Sequence, residues 1–159
     1  AHSLKEFFLE HLPDQGPIRV VHGDYGFHNC LMGPDSRVAA VVDWEISTLG
    51  DPLADLAYAL NPWPDPSDKH PPAPEAATNV PGFPSRSQLA ERYAQRTGRD
   101  LSNLNYYVGF NRWKTACIVH GVYARYMEGK KSTEGVDLET LRMRIDSSLT
   151  LAQEAVDQL

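Results

Sequence analysis

The chain is 159 residues long, 42% hydrophobic and 23% charged, a composition that supports one domain with a buried core. A formal net charge of -6 leaves no broad cationic surface, which argues against nucleic acid and anionic membranes as partners. Cys30 and Cys117 are the two cysteines, outside any C-x-x-C pair and inside apolar stretches, so buried free thiols are expected and a disulfide framework is not.

No apolar run exceeds five residues, and Ala1-His2-Ser3-Leu4-Lys5-Glu6 lacks the basic-then-apolar layout of a secretory signal, so a cytoplasmic chain is expected. Leu4, Phe7, Phe8 and His11 stand at helical spacing and Pro13 closes the segment, which predicts a short amphipathic helix. Ile18 to Val21 reads as a strand that delivers the chain into His22-Gly23-Asp24. Cys30 to Met32 and Val38 to Val42 flank a Gly33-Pro34-Asp35-Ser36 turn, which predicts a hairpin leading into Asp43.

Gly50-Asp51-Pro52 is a helix start, with Asp51 at the N-cap, Pro52 in the first turn and Leu53, Leu56, Ala57 and Leu60 on one face. Residues 61–84 hold eight of the twelve prolines and no periodicity, which excludes a regular helix and suggests a functional loop, here part of a substrate pocket. Ser85-Arg86-Ser87-Gln88 predicts a capping box, and Gly98 a left-handed end to the helix that follows. Tyr106, Phe110, Trp113, Cys117, His120, Ala124 and Met127 predict one continuous buried face of a long helix. Leu138, Leu141, Ile145, Leu149, Ala152 and Val156 predict a second.

The chemistry-bearing run is His22-Gly23-Asp24-Tyr25-Gly26-Phe27-His28-Asn29, with Asp43-Trp44-Glu45 starting fourteen residues after Asn29. Phosphoryl transfer needs a carboxylate to orient the attacking hydroxyl and oxygen ligands to hold magnesium on the phosphates. An H-x-D-x-x-x-x-N loop followed by a hairpin and an aspartate supplies that set: Asp24 toward the hydroxyl, Asn29 toward the metal, and Asp43 returned beside Asn29. His22 is expected to pack beneath the site and bond the backbone. Asp51 is expected to cap its helix, and Asp55 to accept hydrogen bonds from the backbone of the loop. Glu45 is open between a second magnesium and a surface position. Gly129-Lys130-Lys131-Ser132 lacks the earlier glycine of a phosphate loop, since Ala124 stands there.

The segments VVHGDYGFHNCLM, VAAVVDWEISTLGDPLADLAY and GFPSRSQLAERYAQRTGRDLSNLNYY resemble the aminoglycoside phosphotransferase family, near its branch linked to acyl-CoA dehydrogenases, over roughly residues 18–127. The resemblance implies an α+β, mostly helical chain forming the C-terminal catalytic lobe of a protein-kinase-like fold, with a small β-hairpin at the active site. It also implies ATP as phosphoryl donor, magnesium as cofactor, a small-molecule acceptor, Asp24 as base, and Asn29 and Asp43 as metal ligands. Gly23 replaces the arginine that reads a phosphorylated activation loop in protein kinases, which favours a small hydroxylated acceptor over a protein.

No glycine-rich phosphate loop is visible and about seventeen residues precede the first motif strand, so residues 1–159 are expected to be a single catalytic lobe without its nucleotide-binding lobe, weak or inactive alone. Two other readings compete with a kinase. One is a non-catalytic binding module derived from a kinase lobe. The other is a metal-dependent hydrolase built from His22, Asp24 and His28, which would favour zinc over magnesium.

Overall fold

A computed structural model describes residues 2–14, 16–66 and 78–159. It is a mixed α/β chain dominated by helices, in the order α1 (His2–Glu10), β1 (Arg19–Val21), β2 (Cys30–Met32), β3 (Val38–Val41), β4 (Thr48–Gly50), α2 (Pro52–Leu60), α3 (Arg86–Thr97), α4 (Leu104–Met127) and α5 (Leu138–Val156). Two compact units are distinguished: Asp14–Tyr107, and Ala1–Pro13 with Val108–Leu159. Among the described residues no helix is long and apolar enough to cross a membrane.

In the unit Asp14–Tyr107 the strands form two separate antiparallel pairs. β2 and β3 make the expected hairpin, with Cys30 opposite Val41 and Leu31 opposite Ala40, and an irregularity before Met32. Its turn closes through Gly33 N–H to Arg37 O at 2.7 Å and Ser36 N–H to Gly33 O at 3.1 Å. β1 pairs with β4, Val21 opposite Thr48 and Arg19 opposite Gly50. That second pair closes residues 22–47 into one loop whose two ends leave the same short ladder.

Helix α2 begins where the sequence places it. Asp51 is extended, its Oδ1 accepts from Leu53 N–H at 2.9 Å, and Pro52 occupies the first turn, where a missing N–H costs nothing. Leu53, Ala57 and Leu60 are buried. Helix α3 carries the full capping box: Gln88 N–H donates to Ser85 Oγ at 3.2 Å and Ser85 N–H to Gln88 Oε1 at 2.9 Å. Gly98 ends it at φ +68°, a conformation glycine adopts without the Cβ penalty.

In the other unit, Phe8 of α1 is buried with its ring edge-on to Phe110 and 6.0 Å from Trp113. A side chain at Gly109 would meet Phe8, Ala152 O and Ala155 Cβ at 3.4 Å, so the glycine permits a close approach of α4 and α5. The α5 stripe is as expected, with Ile145 and Ala152 buried and Leu141 and Leu149 packed against Ala116, Val119 and Ile145.

The α4 stripe needs correction. Cys117, His120 and Met127 are exposed, and Ala116 and Val119 take the buried positions. Apolar residues stand on several faces of α4, Ile118 at 58% exposed among them, so strict alternation of four and three picked a face one residue out of register. The expected burial of both thiols fails with it: Cys117 is exposed and Cys30 half-buried.

Candidate functional site

The loop after β1 is fixed from below by a carboxylate. Asp55, in the first turn of α2, accepts from His22 N–H and Gly23 N–H, the latter at 2.8 Å, so one side chain holds two consecutive backbone donors. Gly23 turns there at φ +86°, and a Cβ would crowd Ile46 O and its side chain at 3.2 Å. Both the dihedral and the space require glycine.

His22 is buried. Its Nε2 lies 2.8 Å from Val42 O, a pure acceptor, and its Nδ1 receives the Asp24 N–H at 3.3 Å. These partners assign the proton to Nε2 and leave neither nitrogen a lone pair for a metal. Trp44 lies against the ring at 4.8 Å and donates its indole N–H to Val41 O.

Asp24 stands above this support with its side chain 32% exposed. Asn29 Nδ2 donates to Asp24 O at 2.9 Å and to its Oδ2 at 3.2 Å, and His28 Nε2 approaches Oδ2 at 3.3 Å. Burial alone would raise the Asp24 carboxyl, but hydrogen bonds from Tyr58, His28 and Asn29, with the His28 charge, outweigh it and hold the group below the ordinary carboxylate range. The carboxylate is therefore ionised at neutral pH.

Asn29 is buried and its backbone O accepts from Val42 N–H at 2.9 Å, which extends the hairpin ladder one step beyond Cys30 and Val41. Asp43 follows Val42 directly, so it stands one step beyond the residue paired with Asn29. Asp43 is exposed and left-handed at φ +68°, ψ +49°, a conformation that costs a non-glycine residue roughly 1 kcal/mol or more. Glu45 lies exposed in the 3-10 turn Trp44–Ile46 that comes next. Asp51 is buried below, receiving the Tyr107 hydroxyl at 3.1 Å on Oδ2; burial and the Asp51 charge push that phenol well above its usual range.

The donor set fits magnesium. The Asn29 amide nitrogen is turned to Asp24, which directs its carbonyl oxygen away, and the exposed Asp43 carboxylate would offer a second hard oxygen donor. Zinc through His22 does not fit, since both ring nitrogens are engaged. Among the described residues no group of three histidine, cysteine or acidic side chains converges.

Sequence reasoning missed Tyr58, which lies one turn after Asp55 on α2 and for which that spacing was the available signal. It also left His28 open, and β4 unassigned. Much of the proline-rich segment, residues 67–77, lies outside the described residues. Its two ends do not: Trp63 and Phe83 meet each other and Phe27.

Comparison with known proteins gives concordant matches. The profile of the phosphotransferase enzyme family matches residues 1–107. A crystal structure from Ralstonia eutropha, provisionally assigned as an aminoglycoside phosphotransferase, superposes with a TM-score of 0.76 at 29% identity, covering 96% of this chain and 48% of that one. Acyl-CoA dehydrogenase family member 11 of Gallus gallus is 38% identical over 77% of this chain and 16% of its own length. Family member 10 of Mus musculus is 35% identical over 77% of this chain and 12% of its own. The chain thus spans about half of the solved neighbour and a small part of these curated relatives.

Proposed function

We propose, for a chain that belongs to the phosphotransferase enzyme family, ATP-dependent phosphorylation of a small-molecule hydroxyl, with Asp24 as base and Asn29 and Asp43 as magnesium ligands. One observation carries the reading. The Asn29 amide bonds the ionised Asp24, and the ladder step from Val42 N–H to Asn29 O brings the backbone that carries Asp43 back to the same loop, which supports a base and oxygen ligands drawn from one local stretch.

Asp24 accepts the proton of the acceptor hydroxyl and aims its oxygen at the phosphoryl group. Asn29 holds the carboxylate in that direction, and Asp55 keeps the backbone beneath it from moving. Magnesium bound between Asn29 and Asp43 would neutralise charge on the donor phosphates. His22, buried, orients the loop through Val42 O and Asp24 N–H. The match to acyl-CoA dehydrogenase family members supports a metabolic acceptor, such as a hydroxy acid or hydroxyacyl thioester, over an antibiotic.

Because the chain covers 48% of the solved neighbour, turnover is to be measured on the whole protein that contains it. Asp24→Asn should lower kcat by about 10²–10⁴, the usual contribution of a positioned base. On the isolated chain, thermal unfolding with and without Mg·ATP reports binding to the native state. A rise in Tm that Asp43→Ala abolishes supports the metal site. Full activity in Asp24→Asn, or an equal rise in Asp43→Ala, would overturn the assignment.

A further inference from the structure

Gly26 and His28, in the turn between Asp24 and Asn29, have no part in phosphoryl transfer as described above, yet they are fitted to one another. The turn is a single 3-10 step, Phe27–Asn29, closed by Asn29 N–H to Gly26 O at 3.0 Å. It sends two consecutive side chains back to the same carboxylate oxygen: Asn29 Nδ2 reaches Asp24 Oδ2 at 3.2 Å, and His28 Nε2 reaches it at 3.3 Å. A carboxylate only accepts, so the imidazole nitrogen that faces it carries a hydrogen. Two donors that approach one oxygen from different side chains fix the twist of the carboxyl group, where a single donor leaves it free to swing.

Gly26 supplies the seat for the ring. Its backbone is extended at φ −172°, ψ +175°, which any residue adopts, so no dihedral calls for glycine there. The space does. A Cβ on Gly26 would stand 2.6 Å from His28 Cε1 and 2.8 Å from its Nδ1, where ordinary contact begins at 3.4 Å. The three nearest atoms all belong to the imidazole, the end of a rotatable side chain, so an added methyl would evict the ring and leave the turn itself intact. Glycine is the costliest residue to order on folding, and here its missing side chain accommodates the ring that reaches Asp24.

We propose that His28 is a positioning residue for the reaction, seated by Gly26 so that its Nε2–H and the Asn29 amide together hold the Asp24 carboxylate toward the acceptor hydroxyl. The inference rests on the phosphotransferase reading for what Asp24 does. That His28 holds the carboxylate is read from the conformation of Asp24 and needs no turnover.

Four variants of the whole protein separate this contact from the fold. His28→Leu removes the donor at similar bulk, Gly26→Ala keeps the histidine and takes its seat, the double variant does both, and His28→Gln sets an amide nitrogen close to the place of Nε2. The His28 side chain is 56% exposed and Gly26 is extended, so matching Tm values are expected throughout. Crystal structures should show the Asp24 carboxyl in one orientation in the parent and in His28→Gln, and turned or split between orientations in the other three. With Mg·ATP and 3-hydroxybutyrate as the probe, ADP release should fall about 10-fold in kcat in His28→Leu and in Gly26→Ala, inside the roughly 10²-fold that a 1 Å misplacement can cost, with KM within about 2-fold of the parent. The double variant should be no slower than the slower single one, because both remove one contact, and His28→Gln should recover most of the loss.

An Asp24 carboxyl unmoved in both His28→Leu and Gly26→Ala would overturn the proposal. So would a parental kcat in either of them, a loss in the double variant equal to the product of the two single losses, or a His28→Gln protein as slow as His28→Leu. A parent that releases no ADP counts against the phosphotransferase reading alone, and the orientation of the carboxyl then decides the role of His28 by itself.

Discussion

Replacing Asp55 isolates the contribution of one carboxylate to the catalytic loop. In the native chain its two oxygens receive the N–H groups of His22 and Gly23. A backbone donor left without an acceptor costs about 1–3 kcal/mol when buried. Asp55 is half-buried, so water can reach part of the vacated space, and the pair should cost about 2–3 kcal/mol in Asp55→Ala. For a chain of this size that corresponds to a fall in Tm of roughly 5–10 °C. Asp55→Asn keeps the shape but sets an amide N–H₂ against one of the two donors, so it should recover only part of the loss. Urea unfolding of the three proteins, followed by tryptophan fluorescence and far-ultraviolet circular dichroism, measures the difference directly. An unfolding free energy for Asp55→Ala within about 0.5 kcal/mol of the parent would refute the claim that this carboxylate anchors the loop.

Two further outcomes follow from the same geometry. Gly23→Ala must hold a Cβ at φ +86° against Ile46, so it should destabilise the chain by about 2 kcal/mol and abolish the Mg·ATP-dependent rise in Tm; an unaltered unfolding curve contradicts this. Tyr58→Phe removes the largest of the interactions that lower the Asp24 carboxyl. A depressed folded value means the ionised form stabilises the fold and persists until pH falls through that value. The substitution should therefore move the acid limb of kcat/KM in the whole protein to higher pH, and an unmoved limb would show that Tyr58 does not tune the base.

Features decided within a few residues could be read directly from the sequence. Asp51-Pro52, the Ser85 and Gln88 box and the Gly98 terminus are such local choices of backbone partner, and each is found where the residues predict. The hairpin before Asp43 is similar, because its turn and alternation lie within a dozen residues. β4 could not be read this way: Thr48-Leu49-Gly50 is three residues long and becomes a strand by pairing with β1, about thirty residues earlier. The α4 face failed for the opposite reason, since several faces are apolar and only packing against α5 decides among them. At the site, spacing identified which residues share the loop but not how they bond. The approaches of Tyr58 and His28 to Asp24, and the meeting of Phe27 with Trp63 and Phe83, depend on tertiary placement that no local pattern encodes.

Helix α2 works as a jig. Within one stretch from Asp51 to Trp63 the chain caps the helix, grips the loop through Asp55, reaches the base through Tyr58 and brings Trp63 against the ring of Phe27. A shift of this single rod would displace all of these fittings together, so the loop backbone and the base carboxylate cannot be disturbed independently of one another. The same coupling constrains divergence. Variants that tilt α2 would misalign the loop and the base at once.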